Sequence, residues 1–464
     1  MKPFITICFF SLMIFSCKKE SFITSSDARI TLSADTLRFD TLFTSVGSIT
    51  QYFKIKNSNN QKLKFSNITL KGGAASPFKM NVDGIEGPES GNITVEANDS
   101  IYVFVSVSLH STLANLPFIV KDSIEIRYNG ASRYVQLESW GQNANFLRAR
   151  KITGNVTWPN NLPYVILGGL QIDTNATLTI EKGCRIYLHA DAPLIVDGTL
   201  KINGERYDST RVYFRADRLD DPYNSYPAGW PGIYFRGNSK DNVLHHAVIQ
   251  NAYQGIVIEQ KSVNGNPKLI MNECIIDNIY DAGVLAVQTS IQANNCLITN
   301  CGKNVQLVYG GDYRFNHCTL VSFSSSYLLH KEPVLFISNF VKQENTYLTK
   351  PLSASFSNCI FWGDDGVPDE VVTSKQGNDP FAVGFESCLL RSKTLAPNIT
   401  ALNLILNQEP VFDSINTQKR YFNFRLKQHS PAVNKGIVTG LSKDLDGLNR
   451  PVGLPDIGAY ERQQ

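Results

Sequence analysis

The sequence predicts an all-β protein in two parts, a β-sandwich followed by a right-handed parallel β-helix. Over residues 27 to 143, short apolar-polar alternations are separated by turn residues and show no helical period, the pattern of half-buried strands. From about residue 150 a motif centred on Cys or Ala recurs, at its closest every 22 residues, the size of one β-helix coil. Composition agrees with a folded, globular chain. Charged residues make up 18% of the 464, and 32 Gly and 20 Pro are close to average usage, which excludes disorder, collagen and coiled coil. A formal charge of +3, from 44 basic against 41 acidic residues with no dense Lys/Arg block, gives no footprint for nucleic acid.

Residues 1 to 16 carry one charge, Lys2, and an apolar stretch from Ile5 to Phe15 that is too short to span a bilayer. This is an export signal. It ends Met13-Ile14-Phe15-Ser16-Cys17, which resembles a bacterial lipobox, with Phe15 bulkier than the usual residue there. The resemblance implies that the Cys17 sulfur takes a diacylglycerol and that residues 17 to 26 form a polar tether. Acyl chains at about 0.8 kcal/mol per buried CH₂ would then hold the protein on the outer membrane or cell surface without a spanning helix. A plain secretory signal with an unmodified Cys17 is the alternative.

The sandwich strands are expected at 37 to 43, 51 to 57, 63 to 70, 101 to 109, 124 to 128 and 134 to 140, with Asp40 and Asn57 as turn caps. The segment Phe39 to Ser48, followed by Phe53-Lys54-Ile55-Lys56-Asn57, resembles the immunoglobulin-like domains at the front of many bacterial surface proteins. That resemblance implies a spacer or docking module with no chemistry of its own.

In the second part, spanning 144 to 405, the segments starting at His246, Glu273 and Asn295 align without gaps, and those at His317, Asn358 and Ser387 extend the set. With Ala247, Cys274, Cys296, Cys318, Cys359 and Cys388 as position zero, the spacings are 27, 22, 22, 41 and 29. Position +2 reads Ile249, Ile276, Ile298, Leu320, Phe361, Leu390, and position −3 reads Leu244, Met271, Ala293, Phe315, Phe356, Phe385. All are small or apolar, as stacking inside a coil requires. The gap of 41 is expected to be one coil with an excursion near 343 to 350. Coils rising by about 4.8 Å would make a rod of roughly 50 Å.

Asn251, Asn278 and Asn300 recur at position +4 as an asparagine ladder, which resembles that of the pectate-lyase-like β-helix superfamily, as does Gly229-Trp230-Pro231-Gly232 entering a coil. Residues 406 to 464, with Ser430-Pro431-Ala432, Asp444-x-Asp446-Gly447-x-x-Arg450-Pro451 and Asp456-Ile457-Gly458-Ala459-Tyr460-Glu461, are similar to the choice-of-anchor Q closing segment of bacterial surface β-helix proteins. The family implies a surface protein and, where it acts on polysaccharide, a site on the outward face of one sheet.

That face reads, two residues before position zero, His245, Asn272, Asn294, Asn316, Ser357 and Glu386, with Arg314 beside it. Lyase or glycosidase chemistry needs clustered ionisable groups. This strip is mostly amide and hydroxyl, so His245, Asn272, Asn294, Asn316 and Arg314 are expected to face solvent as a ligand surface for an extracellular polysaccharide, or to bond to one another along the rod. Asp220-Asp221 and Asp364-Asp365 read as solvated turns. Asp444-x-Asp446-Gly447 reads as a capped turn pairing with Arg450 rather than a calcium loop, because Gly453 stands where a bidentate acid belongs. His245 and His246 fall on opposite faces or across a bend. The seven cysteines after Cys17 cannot pair completely, and stacked coils hold their Cβ vectors parallel, so they read as buried free thiols. No cofactor or metal is expected, and the chain reads as a monomer. Its function reads as a scaffold or glycan-binding surface protein, with a polysaccharide lyase or glycosidase as the alternative.

Overall fold

The computed structural model describes residues 21–43, 50–109, 118–364 and 366–463, so Cys17, its lipobox and Asp365 lie outside the described residues. The chain divides into two compact units, one ending at Gln142 and one beginning at Asn143.

Two five-stranded sheets build the first unit. One runs Ile30–Leu32, Gln51–Asn57, Ser100–Val107, Phe78–Val82, Ile85–Glu86, all antiparallel. In the other, Thr36–Phe43 pairs parallel to Ala131–Gln142, and Phe118–Tyr128, Leu63–Leu70 and Glu89–Val95 follow antiparallel. Period-two alternation sends Phe53, Ile55, Val103 and Val105 from the first sheet and Phe65, Ile68, Ile126 and Leu137 from the second into one core. This is a β-sandwich. Strands 78–82 and 89–95 escape the sequence reading because the first has only five residues and Ser90-Gly91-Asn92 interrupts the second. Asn57 is a buried turn cap, its Nδ2 donating to the carbonyls of Gln61, Val95 and Glu96 at 2.8, 3.1 and 2.9 Å.

The second unit is a parallel β-helix. Its 26-stranded sheet winds so that each strand pairs parallel with the one a coil later. Leu244, Met271, Ala293, Phe315, Phe356 and Phe385 are successive ladder partners, as are Ile249, Ile276, Ile298, Leu320, Phe361 and Leu390. A third column runs Ile256, Val284, Val305, Leu335, Val371. All three columns are buried in one continuous core. The Phe315, Phe356 and Phe385 rings stack at 5.3 and 4.8 Å, each contact adding about 0.5–1.5 kcal/mol beyond area burial. The long gap is one coil whose surplus residues form the hairpin Phe340–Gln343 with Thr346–Thr349.

Coil corners are made by single left-handed residues. His246, Glu273, Asn295, His317, Asn358 and Ser387, all at position −1, have φ between 46° and 54°. Asn251, Asn278 and Asn300 at the next corner have φ of 61°, 57° and 51°, a conformation Asn tolerates. The asparagine ladder holds for one rung, Asn278 Nδ2 donating to Asn251 Oδ1 at 2.7 Å, while Asn300 Oδ1 accepts the Phe323 amide at 3.1 Å. The seven cysteines from Cys184 to Cys388 are free and buried. Five of them aim the thiol at a carbonyl one coil back, as Cys359 does at Phe315 O, 3.4 Å.

The C-terminal segment lies along the flank of the helix. Phe412, Phe424, Leu445, Ile457 and Ala459 cover Leu297, Val321, Ile360 and Leu389, the outward apolar residues of one sheet. Among the described residues no helix is long and apolar enough to cross a membrane.

Candidate functional site

The row two before position zero points away from the core, and its neighbours at −3 are fully buried, as strand alternation requires. Its amides bond to each other: Asn294 Nδ2 donates to Asn272 Oδ1 at 2.8 Å, and Asn316 Nδ2 to Asn294 Oδ1 at 3.0 Å. His245 Nδ1 stands 3.5 Å from Asn272 Nδ2 and continues the line. Of the residues expected to face solvent, Arg314 is exposed and His245, Asn272 and Asn316 are half-buried. Asn294 is only 6% exposed because its neighbours on both coils close over it. The strip outside the coil is therefore a self-bonded ladder from His245 to Asn316.

At His245 it meets a cleft of about 530 Å³ lined by Arg206, Tyr207, His245, His246, Glu273 and Lys443. The histidine pair sits across a bend, His246 being the left-handed corner residue. Glu273 is the corner residue one coil on, and its carboxylate lies 4.0 Å from His246 Nε2. Opposite them, the turn after strand Thr199–Asn203 presents Tyr207 with the Arg206 guanidinium 4.5 Å over its ring. The buried Arg211 nearby donates from Nη2 to Leu445 O at 2.8 Å and from Nη1 to the carbonyl of the lining residue Glu273 at 3.4 Å.

Burial sets the protonation of this cleft. It lowers the His245 imidazole, and together with the Arg211 charge lowers His246 to about 4, so both rings are neutral at neutral pH. Burial raises the Glu273 carboxyl, against the Asn295 amide that donates to it at 3.1 Å. The other acids are committed elsewhere: Glu205 pairs with Lys182 at 2.7 Å, and Asp444 caps a turn, accepting from the amides of Asp446, Leu448 and Glu461. What the cleft offers is two neutral imidazoles and the exposed Tyr207 ring, in a lining that also carries the Arg206 and Lys443 cations.

The expected pairing of the Asp444-x-Asp446 turn with Arg450 is not found. Asp446 pairs with Arg425 at 2.7 Å, and Arg450 is buried against Glu461 at 3.0 Å with Nη1 donating to Asn295 Oδ1 at 2.6 Å. That arginine locks the closing segment onto the corner column. Asn358 does the same further on, exchanging hydrogen bonds with the Ile437 carbonyl and amide at 2.8 Å each. Sequence reasoning missed these position −1 residues, although an unbroken column of polar residues beside a buried Cys was a signal for them. Asp364 Oδ2 accepts the Ser324 amide at 2.6 Å, and Asp220 pairs with Arg218, so each of these acids is engaged locally.

No family model matches the chain, and no curated protein matches it in sequence. Among solved structures, the catalytic unit of a GH87 α-1,3-glucanase from Streptomyces thermodiastaticus is similar at 10% identity over 76% of this chain and 87% of that one, with a TM-score of 0.25. A family 123 glycoside hydrolase from Clostridium perfringens matches at 10% identity over 25% of this chain and 30% of that one, TM-score 0.19. PapD-like domain 7 of human CEP192 matches at 9% identity over 30% of this chain and 97% of that one, TM-score 0.18. At scores this low the likenesses carry no argument about function.

Proposed function

We propose that this chain is a bacterial surface lipoprotein, anchored through Cys17, whose β-helix binds an extracellular polysaccharide without cleaving it. The lipobox-like sequence and the closing segment similar to choice-of-anchor Q proteins support the location. The observation that carries the binding reading is the histidine cleft: an open site where two neutral imidazoles and the exposed Tyr207 ring converge, with Arg206 and Lys443 in the same lining. Sugar hydroxyls are bound by such neutral donors and acceptors, and an apolar ring face by an aromatic side chain. A glycosidase would need a second free carboxyl across from Glu273. Glu205 and Asp444, the cleft's other acids, are held by Lys182 and by three backbone amides.

A glycan array probed with full-length protein, followed by product analysis on each bound glycan, tests this. Binding that is lost in His245→Ala and leaves the glycan intact is expected. Absence of any bound glycan overturns the reading. Release of shorter or unsaturated products that stops in Glu273→Gln would replace it with the polysaccharide lyase or glycosidase alternative.

A further inference from the structure

A second polar cavity, of about 450 Å³, lies at the next corner of the coils, that of Asn251. Its floor is the outward row at position +3. Arg215 and Gln250 sit on neighbouring coils next to the Phe214–Ile249 pair, and Gln250 is the ladder partner of Asp277, so the three side chains project about 4.8 Å apart. Gln250 Nε2 donates to Asp277 Oδ2 at 3.3 Å. One wall is the loop carrying Asn224 and Ser225, which the corner asparagines hold in place: Asn251 Nδ2 donates to Asn224 O at 2.7 Å and Asn278 Nδ2 to Ser225 O at 3.0 Å. The other wall is the tip of the hairpin Phe412–Asn416 with Tyr421–Leu426, which brings Lys419 and Arg420.

Three cations converge here. Among the described residues, none of Arg215, Lys419 and Arg420 has a carboxylate within ion-pair distance. Arg420 donates from Nη1 to Ser225 O at 2.9 Å and lies 4.8 Å over the Tyr327 ring, while Arg215 donates from Nη2 to the Tyr187 hydroxyl at 3.2 Å. In both, Nε is buried without a hydrogen-bond partner. Both guanidiniums are oriented by neutral contacts, and the Asp277 carboxylate in the same cavity feels the Arg420 charge through space without a close ion pair. Three cations against one acid leave the cavity net positive, which favours an anion.

We propose that this cavity is a second saccharide site, specific for a sugar that bears an oxyanion, a carboxylate or a sulfate. Arg215 and Arg420 take the anion, Lys419 closes over it, and Asp277 and Gln250 take ring hydroxyls. Asp277 decides between a sugar and a bare anion. A carboxyl beside the cations repels a small dianion such as phosphate, and it is the acceptor that hydroxyls need. The site stands apart from the histidine cleft and does not depend on that reading.

Calorimetry on the full-length protein in detergent tests it, with a uronate-containing oligosaccharide, a sulfated oligosaccharide, the neutral parent of each, and inorganic sulfate as probes. One or both acidic sugars should bind at least tenfold tighter than their neutral parents, and the one that binds identifies the anion. Arg215→Gln should weaken that binding tenfold or more, and His245→Ala should leave it unchanged. Lys419→Glu, at an exposed hairpin tip where it cannot unfold the rod, should weaken it at least fivefold and keeps the test valid if Arg215→Gln misfolds. Equal binding of neutral parents, binding of sulfate alone as tight as the sugar, full affinity in Lys419→Glu, loss in His245→Ala, or no acidic sugar bound would each overturn the proposal.

Discussion

Asn294→Ala is the substitution that separates a structural ladder from a free ligand surface. Asn294 donates to Asn272 at 2.8 Å and accepts from Asn316 at 3.0 Å, and at 6% exposure water cannot replace either bond in place. Two neutral hydrogen bonds at about 1 kcal/mol each put the cost near 2 kcal/mol, held down because Asn272 and Asn316 are half-buried and can turn to solvent. Arg314→Ala, on the paired strand one coil later but exposed, should change stability by less than about 0.5 kcal/mol. Urea unfolding read at constant m-value measures both, and a cycle combining Asn294→Ala with Asn316→Ala should show a coupling of about 1 kcal/mol. If Asn294→Ala costs no more than Arg314→Ala and the cycle shows no coupling, the amides do not hold one another. The whole strip would then be available to a ligand.

Acid should destabilise the β-helix through His317, which is fully buried, accepts from Asn358 Nδ2 at 2.8 Å, and is lowered to about 2 by burial. Its folded value lies below the unfolded value near 6.5, so stability present above pH 6.5 is lost as pH falls, by about 2 kcal/mol at pH 5, and His317→Gln should remove that part of the slope in pH-dependent unfolding. The seven thiols from Cys184 to Cys388 should be silent to a thiol reagent in the native protein and react only on unfolding, and reductant should not shift the melting temperature; early reaction of any would contradict their burial. Phe356→Ala should cost about 3–5 kcal/mol, measured by the same urea titration, since it removes a ring stacked on both Phe315 and Phe385. Cys17→Ala should move the protein from the membrane fraction to the soluble one, and an unmodified Cys17 by intact mass would refute the anchor.

The coil register was legible because it rests on burial repeated along the chain: positions −3, 0 and +2 are apolar in every copy, and the ladders pair the −3 and +2 columns as the spacings imply. What local pattern could not show was which polar groups satisfy each other. Asn272, Asn294 and Asn316 look free in sequence because each needs a partner 22 residues away to close its hydrogen bond. The corner residues were hidden for another reason. A turn with positive φ usually announces itself with glycine, and here His, Glu, Asn and Ser take that conformation. Both candidate sites also draw on distant chain, as Arg206 meets Gly447 and Arg420 meets Ser225. Proximity in sequence misled in the closing segment, where Arg450 passes over Asp446 for Glu461.

One outward face explains why the closing segment sits where it does and why a polar cavity remains beside it. Along the rod, position +1 runs Val248, Ile275, Leu297, Thr319, Ile360, Leu389, and position +3 runs Gln250, Asp277, Thr299, Val321, Trp362, Arg391. Position +1 is apolar nearly throughout, while position +3 is polar over its first three coils and turns apolar at Val321 and Trp362. An apolar sheet face left in water is unfavourable by about 25 cal/mol per Å², and the closing segment lays Phe412, Phe424 and Leu445 on the apolar half. Where the +3 row carries Gln250 and Asp277 that driving force weakens, and the chain turns back at the tip holding Lys419 and Arg420. The cations stand at the edge of the polar row because the hydrophobic pattern stops there. A cover fitted to the whole face would have needed apolar residues at 250 and 277, and the sequence puts an amide and an acid in those places.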